Sequence, residues 1–254
     1  MYYYIYDSFL NDRKYDRILA KIENRLANFE INGKITKLSK LKSAEDNILE
    51  EISGGVKNII VVGDDSAVLQ ILNIVVDYED IVFGIIPVGE KNEISKLLGM
   101  PYGEDACEVI SSRKLELIDL GRVNNKYFIS KLDIGHDSNL EVVCNETYSI
   151  KSIGSNEISV CNIADYQSPH KEKNVFNPKD GFLEVFVGQK QSFADKFFNK
   201  EKRQESIFPI KTALVKCGKN IKIMLDREMV LKSPLSIRVA PHKLRVIVGK
   251  DRVF

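Results

Sequence analysis

The stretch Asn58-Ile59-Ile60-Val61-Val62-Gly63-Asp64-Asp65-Ser66-Ala67-Val68 decides how the first half of this chain is read. Ile59–Val62 is a continuous apolar run of strand length. A strand without polar alternation is buried on both faces, as in a parallel sheet covered by helices. Gly63 permits a tight turn, and Ser66–Val76 then shows the Leu, Ile and Val content of a buried helix. The unit is therefore strand, glycine turn, helix, and its neighbours repeat it.

Upstream, Tyr2–Tyr6 predicts a first strand. Asp12–Phe29 has helical spacing, with Ile18, Ile22, Leu26 and Phe29 on one face. Lys34–Leu38 predicts a strand after the Asn32-Gly33 turn. Ser43 can cap a helix reaching about Ile52, which Gly54-Gly55 ends. Downstream, Ile81–Ile86 predicts another strand and Glu93–Leu98 a short helix. The order βαβαβαβ predicts an α/β domain, doubly wound around a mostly parallel sheet.

Near residue 120 the character changes. Helix signals thin out and apolar residues alternate with polar ones. Expected strands are Tyr127–Ile134, Leu140–Asn145, Tyr148–Ile153, Glu157–Ile163, Phe182–Val187, Thr212–Lys216, Ile221–Leu225, Leu235–Val239 and Leu244–Val248. Phe193–Arg203 is the one helical candidate there, and Asp165–Lys173 reads as a loop. These features predict a mostly antiparallel, all-β second domain of the sandwich type. The expected division is 1–120 and 121–254.

Composition sets outer bounds. The chain has 254 residues, 37 Lys+Arg against 36 Asp+Glu, and a formal net charge of +1. So even a balance argues against a nucleic-acid partner, which requires a positive excess. A 44% hydrophobic content excludes a disordered chain. The start Met1-Tyr2-Tyr3-Tyr4 lacks signal-peptide character, and no apolar run reaches membrane-helix length, so the cytoplasm is the expected location. Cys107, Cys144, Cys161 and Cys217 form no CxxC pair and read as buried small hydrophobes. His136, His170 and His242 are scattered. Exposed strand edges in the second half would allow a homodimer.

Ligands of an open parallel sheet bind beyond the carboxyl ends of its strands, near the point where strand order reverses. Two loops qualify. In Gly63-Asp64-Asp65-Ser66, helix N–H groups are offered to an anion, and the aspartates could hold a metal or act as a base. The alternative is that they only cap the helix. The second loop is Pro87-Val88-Gly89-Glu90-Lys91-Asn92. Gly84 and Gly89 have P-loop spacing, but Glu90 stands where that motif needs Lys, so the motif is absent.

Taken in order, these loops resemble the diacylglycerol kinase catalytic-domain family, which includes bacterial soluble lipid kinases and sphingosine kinases, with NAD kinases as more distant relatives. The family shows Gly-Gly-Asp-Gly-Thr after a strand, then Asn in the helix; here Gly63-Asp64-Asp65-Ser66-Ala67 is followed by Asn73. It then shows Ile-Ile-Pro-x-Gly-Thr-x-Asn-Asp and a later Gly-x-Pro; here Ile85-Ile86-Pro87-Val88-Gly89-Glu90-Lys91-Asn92-Glu93 is followed by Gly99-Met100-Pro101. Asp180-Gly181-Phe182-Leu183-Glu184-Val185 and Asp226-Arg227-Glu228 resemble its Asp-Gly-x-Leu-x-Val and Asp-Gly-Glu segments.

The resemblance implies an ATP-dependent lipid kinase that binds nucleotide between its domains and phosphorylates a hydroxyl of diacylglycerol or a related lipid, with Mg2+ and with transient membrane contact. Gly63, Asp64, Asp65, Ser66, Gly89 and Asn92 would bind nucleotide, Asp65 and Glu228 would be catalytic, with Glu228 the general base, and Asp180 would be the metal residue. Departures accompany the match. Asp64 replaces a glycine, Ala67 a threonine, Glu90 a threonine and Arg227 a glycine; Asp7-Ser8-Phe9-Leu10-Asn11 stands for Asn-Pro-x-Ser-Gly, and Lys179 precedes Asp180. Loss at both phosphate-facing loops fits the alternative of a weakened relative that binds nucleotide, lipid or a protein without turnover.

Overall fold

A computed structural model describes residues 1–38, 44–135, 140–151, 156–164, 176–189, 205–216 and 223–254. Ser43, His136, His170, Cys217 and the segments expected as the Phe193–Arg203 helix and the Asp165–Lys173 loop lie wholly or almost wholly outside the described residues. Contacts divide the chain into two compact units, Met1–Ile118 with His242–Val253, and Asp119–Pro241 with Phe254.

The first unit is α/β. Its elements are β1 (Tyr2–Tyr6), α1 (Asp16–Asn28), β2 (Gly33–Lys37), α2 (Ala44–Ser53), β3 (Asn58–Gly63), α3 (Asp65–Val75), β4 (Val82–Pro87), α4 (Glu93–Leu97), α5 (Ala106–Ser112) and the start of β5 (Leu115–Val123). The sheet order is β2-β1-β3-β4, all parallel. All six residues of β3 and all six of β4 are buried: the apolar run Ile59–Val62 and β4 fit a doubly covered sheet, and the one polar side chain, Asn58, is hydrogen-bonded to Met1 O and Arg113. The helix expected from Asp12 starts later, because Asp12 caps a 3-10 turn at Arg13–Tyr15 before α1 begins. α1 then buries Leu19, Ile22 and Leu26. The last strand, β16 (Leu235–Ile247), returns its final residues to this unit, with Arg245 and Val246 pairing parallel to Val82 and Phe83 of β4.

The second unit is antiparallel. It contains β6 (Lys126–Phe128), β7 (Lys131–Gly135), β8 (Glu141–Cys144), β9 (Tyr148–Lys151), β10 (Asn156–Cys161), β11 (Leu183–Gln189), β12 (Ser206–Ile210), β13 (Thr212–Lys216), β14 (Ile223–Leu225) and β15 (Met229–Leu231). One sheet has the order β12-β11-β10-β7-β14-β15. In the other, β16 pairs β13, then β8, then β9. Alternation produces the burial: Ala213 and Val215 point inward while Thr212, Leu214 and Lys216 face out.

Three expected strands change form. Tyr127–Ile134 is two strands, β6 and β7, and Leu235–Val239 with Leu244–Val248 is one, β16. Cys107, Cys144 and Cys161 are free and buried, and burial pushes the Cys107 thiol up to about 11 and Cys161 up to about 12. Among the described residues no helix is long and apolar enough to cross a membrane.

Candidate functional site

The order β2-β1-β3-β4 reverses direction at the junction of β1 and β3. In such sheets the carboxyl ends at that junction form the ligand crevice. Three chain segments leave the sheet there: Asp7-Ser8-Phe9 after β1, Gly63–Ser66 after β3, and Val88–Asn92 after β4. Gly63, Asp64, Asp65, Ser66, Gly89 and Asn92, separated by up to 29 positions in the chain, are thereby brought together.

Backbone proximity explains the two glycines. A Cβ on Gly63 would stand 2.8 Å from Asp7 Cβ and 3.3 Å from Ala67 Cβ. Gly89 has φ +101°, and a Cβ there would stand 2.9 Å from Phe9 Cζ and 3.6 Å from Asp64 Cβ. Phe9 also packs against Tyr15, with ring centroids 5.1 Å apart in an edge-on arrangement. Both loops are thus packed to contact, and each tolerates only a bare backbone.

The two aspartates have separate duties. Asp64 is the N-cap of α3: one carboxylate oxygen accepts from Ser66 N at 3.0 Å and Ala67 N at 3.4 Å. This is the capping role that the sequence left open as an alternative. Asp65, only 2% exposed, reaches across to the second loop. Its Oδ2 accepts from Glu93 N at 2.7 Å and its Oδ1 from Ile94 N at 3.2 Å, while its own N–H donates to Lys91 O at 2.9 Å. Asp65 therefore clasps the start of α4 and fixes the shape of Gly89–Asn92. Val88 N donates to Gly63 O at 3.0 Å and strengthens the same clasp.

Other polar groups complete the junction. Asn92 Nδ2 donates to Gly89 O at 2.9 Å, while its buried Oδ1 has no hydrogen-bond partner. Gly89 N donates to the Tyr102 hydroxyl at 3.3 Å. Asp7 Oδ1 accepts from Ser8 Oγ at 3.2 Å and Phe9 N at 3.4 Å. Burial, and then the negative charge of Asp64, hold the Asp7 carboxyl above its ordinary range. Asp7 and Phe9 lie in the stretch that stands for the family's Asn-Pro-x-Ser-Gly segment, which marked the place but not their packing on the glycine loops; Tyr102 had no signal beyond its position after Gly99-Met100-Pro101.

Glu228 and Asp180 belong to the second unit. Glu228 closes the tight turn Leu225–Glu228 between β14 and β15, its N–H donating to Leu225 O, and within that turn Asp226 and Arg227 have φ +44° and +61°. Asp226 fixes that hairpin. Its carboxylate accepts from Ile129 N at 2.9 Å, Ser130 N at 2.9 Å and Lys131 N at 2.8 Å. Burial pushes the Asp226 carboxyl up to about 6 in spite of those three donors. Asp180 is exposed and accepts from Phe182 N at 2.9 Å. Burial and the neighbouring Asp180 push the Glu184 carboxyl up to about 8, and one of its oxygens is buried without a partner. Among the described residues, no three His, Cys, Asp or Glu side chains are grouped closely enough to hold a metal ion by themselves.

Comparison with known proteins agrees with this geometry. Residues 2–123 match the family model of the diacylglycerol kinase catalytic domain. A Staphylococcus aureus (strain MRSA252) protein provisionally named a lipid kinase is 21% identical over 258 aligned positions, covering 83% of each chain. One from Staphylococcus haemolyticus, with the same provisional name, is 24% identical and 78% of each chain is covered. A crystal structure described as a diacylglycerol kinase from Bacillus anthracis strain Sterne superposes with TM-score 0.77 at 19% identity, over 99% of this chain and 98% of that one. Yeast NADH kinase, solved with NADH, shares the fold more distantly, with TM-score 0.60 at 9% identity over 100% of this chain and 85% of that one. The resemblance carried by the two glycine loops is thus borne out: residues 2–123 match the diacylglycerol kinase catalytic domain family, and the chain as a whole has the fold of the bacterial structure so described.

Proposed function

We propose that this protein is a nucleotide-dependent lipid kinase, which transfers a phosphoryl group from ATP to a hydroxyl of diacylglycerol or a related lipid. The observation that carries this reading is the clasped pair of loops at the β1–β3 reversal, inside the segment that matches the kinase family. Phosphoryl transfer demands little covalent work from a protein; it demands positioning, charge neutralisation and a group that takes the hydroxyl proton. Gly63 and Gly89 let backbone approach the nucleotide. Asp65 acts as a positioning residue, because both of its oxygens are engaged in holding α4. Glu228 takes the proton of the acceptor hydroxyl, on a hairpin that Asp226 immobilises.

Magnesium fits the junction as the metal of a nucleotide complex. The ion is commonly held by one or two carboxylates with substrate phosphates, rather than by an all-protein cage. Asp7, Asp64 and the unpartnered Asn92 Oδ1 supply oxygen acceptors of that kind. When bound, the metal would offset phosphate charge.

A second reading is favoured by one observation. Asp64 already takes the Ser66 and Ala67 N–H groups that begin α3. A relative so altered would bind nucleotide without turning it over. Incubation with labelled ATP, Mg2+ and mixed micelles of diacylglycerol, monoacylglycerol and sphingosine decides the matter. Label in a lipid, lost in Glu228→Gln, supports the kinase reading. No lipid labelled while Mg2+–ATP still binds would replace it with the second.

A further inference from the structure

The two loops contain a mismatch between the donors and acceptors they leave for a ligand. Phosphate oxygens need donors. Here the Ser66 and Ala67 N–H groups are taken by Asp64, the Glu93 and Ile94 N–H groups by Asp65, the Gly89 N–H by Tyr102 and the Asp65 N–H by Lys91 O. Acceptors are in surplus. Asn92, 7% exposed, keeps a buried Oδ1 without a partner, and its amide nitrogen is tied to Gly89, the residue that abuts Asp64. The Asp7 carboxyl lies against Gly63 and is close enough to Asp64 for the two charges to be felt. With these six N–H groups engaged, and with the Asp7 and Asp64 carboxylates and the Asn92 Oδ1 as acceptors, the start of α3 favours a cation and opposes a bare polyanion.

We propose that Asp64 is a specificity-determining residue: its carboxylate occupies the anion seat at the start of α3, so that the junction admits a nucleotide as its divalent-metal complex and rejects the metal-free polyphosphate. The inference rests on the nucleotide-binding reading of these loops and adds what selects the ligand's form. Asp64 is where both effects meet. Its oxygen fills the seat, and its charge acts with that of Asp7. The two effects separate by substitution. Asp64→Asn keeps an oxygen for the cap and removes the charge. Asp64→Gly removes both and leaves the Ser66 and Ala67 N–H groups open.

The test is calorimetric titration of the full chain and both variants with ATP, once with excess Mg2+ and once with a chelator. The wild-type chain is expected to bind Mg2+–ATP and to bind metal-free ATP at least tenfold more weakly. Asp64→Gly is expected to tighten metal-free ATP at least tenfold, with Asp64→Asn in between. Melting curves recorded alongside confirm that the variants fold, and Asp64→Asn serves where the loss of the cap weakens the helix. Wild-type binding of Mg2+–ATP with no gain for metal-free ATP in either variant overturns the role of Asp64 and leaves the nucleotide reading standing. Equal wild-type affinity with and without metal also overturns it. Absence of nucleotide binding in all three proteins overturns both.

Discussion

Substitution of Asp226 by alanine isolates the interaction that fixes the proposed base. The Asp226 carboxylate receives three backbone N–H groups at 2.8–2.9 Å, and two of them, from Ile129 and Ser130, are buried. Each buried donor left unpaired costs about 1–3 kcal/mol, so the variant loses about 2–6 kcal/mol while the carboxyl would have been neutral. The Lys131 donor is partly buried and can turn to water. Charge works in the other direction. A carboxyl moved from its ordinary 3.8 to about 6 loses stabilisation as pH climbs through that interval. The interval is worth about 3 kcal/mol, because each pKa step carries about 1.4 kcal/mol. The deficit of Asp226→Ala is therefore largest near pH 4 and about 3 kcal/mol smaller near pH 7. Amide hydrogen exchange at Ile129 and Ser130 reads this directly, each tenfold loss of protection being about 1.4 kcal/mol of opening free energy. Unchanged protection of those amides at both pH values, or a deficit that grows with pH, would show that Asp226 does not hold this hairpin.

Three further outcomes are expected. Arg227 has φ +61°, a conformation that costs a side-chain-bearing residue about 1–2 kcal/mol, so Arg227→Gly should raise the urea midpoint by about 1 kcal/mol equivalent. Gly89→Ala combines φ +101° with a Cβ 2.9 Å from Phe9 Cζ; it should lower stability by about 1–3 kcal/mol and weaken Mg2+–ATP binding together. Glu184 is held at about 8 against an ordinary 4.5, so the wild-type melting temperature should fall as pH rises from 4.5 to 8, and Glu184→Gln should flatten that slope.

The first unit was legible because its signals are local. Ile59–Val62 of β3 and Val82–Pro87 of β4 are continuous apolar runs, the pattern of a doubly buried strand. α5 escaped because its seven residues Ala106–Ser112 bury only Ala106, Cys107 and Ile110, too short a pattern to show a period. In the second unit the errors come from distant contacts. Ile129-Ser130-Lys131 carries no Gly, Pro, Asn or Asp to mark a break; the chain breaks there because Asp226, some 95 positions later, draws all three N–H groups to itself. The reverse occurred at Pro241-His242, which reads as a break but lies within β16, where the chain returns to the first unit. β12 was masked by Pro209, which an edge strand accepts because its missing N–H is not needed there.

The site was legible in its location and not in its wiring. Glycines after strands marked both loops, and the β1–β3 reversal put them together. That Asp64 bonds within its own helix while Asp65 bonds across to α4 follows from side-chain direction, which neighbouring identical residues do not reveal. The position of Glu228 on a hairpin follows from β14 and β15, and β15 is only three residues long. Arg227 at a left-handed position shows why glycine would suit that turn.

On the reading proposed above, nucleotide phosphates are received at the junction of the two clasped loops. A crystal structure of the chain with Mg2+ and a non-hydrolysable ATP analogue tests it most directly. Phosphate density against Gly63–Ser66 and Gly89–Asn92, with the metal facing Asp64 or Asp7, is the expected result. Analogue bound elsewhere in the molecule, with those loops unchanged and empty, would contradict it.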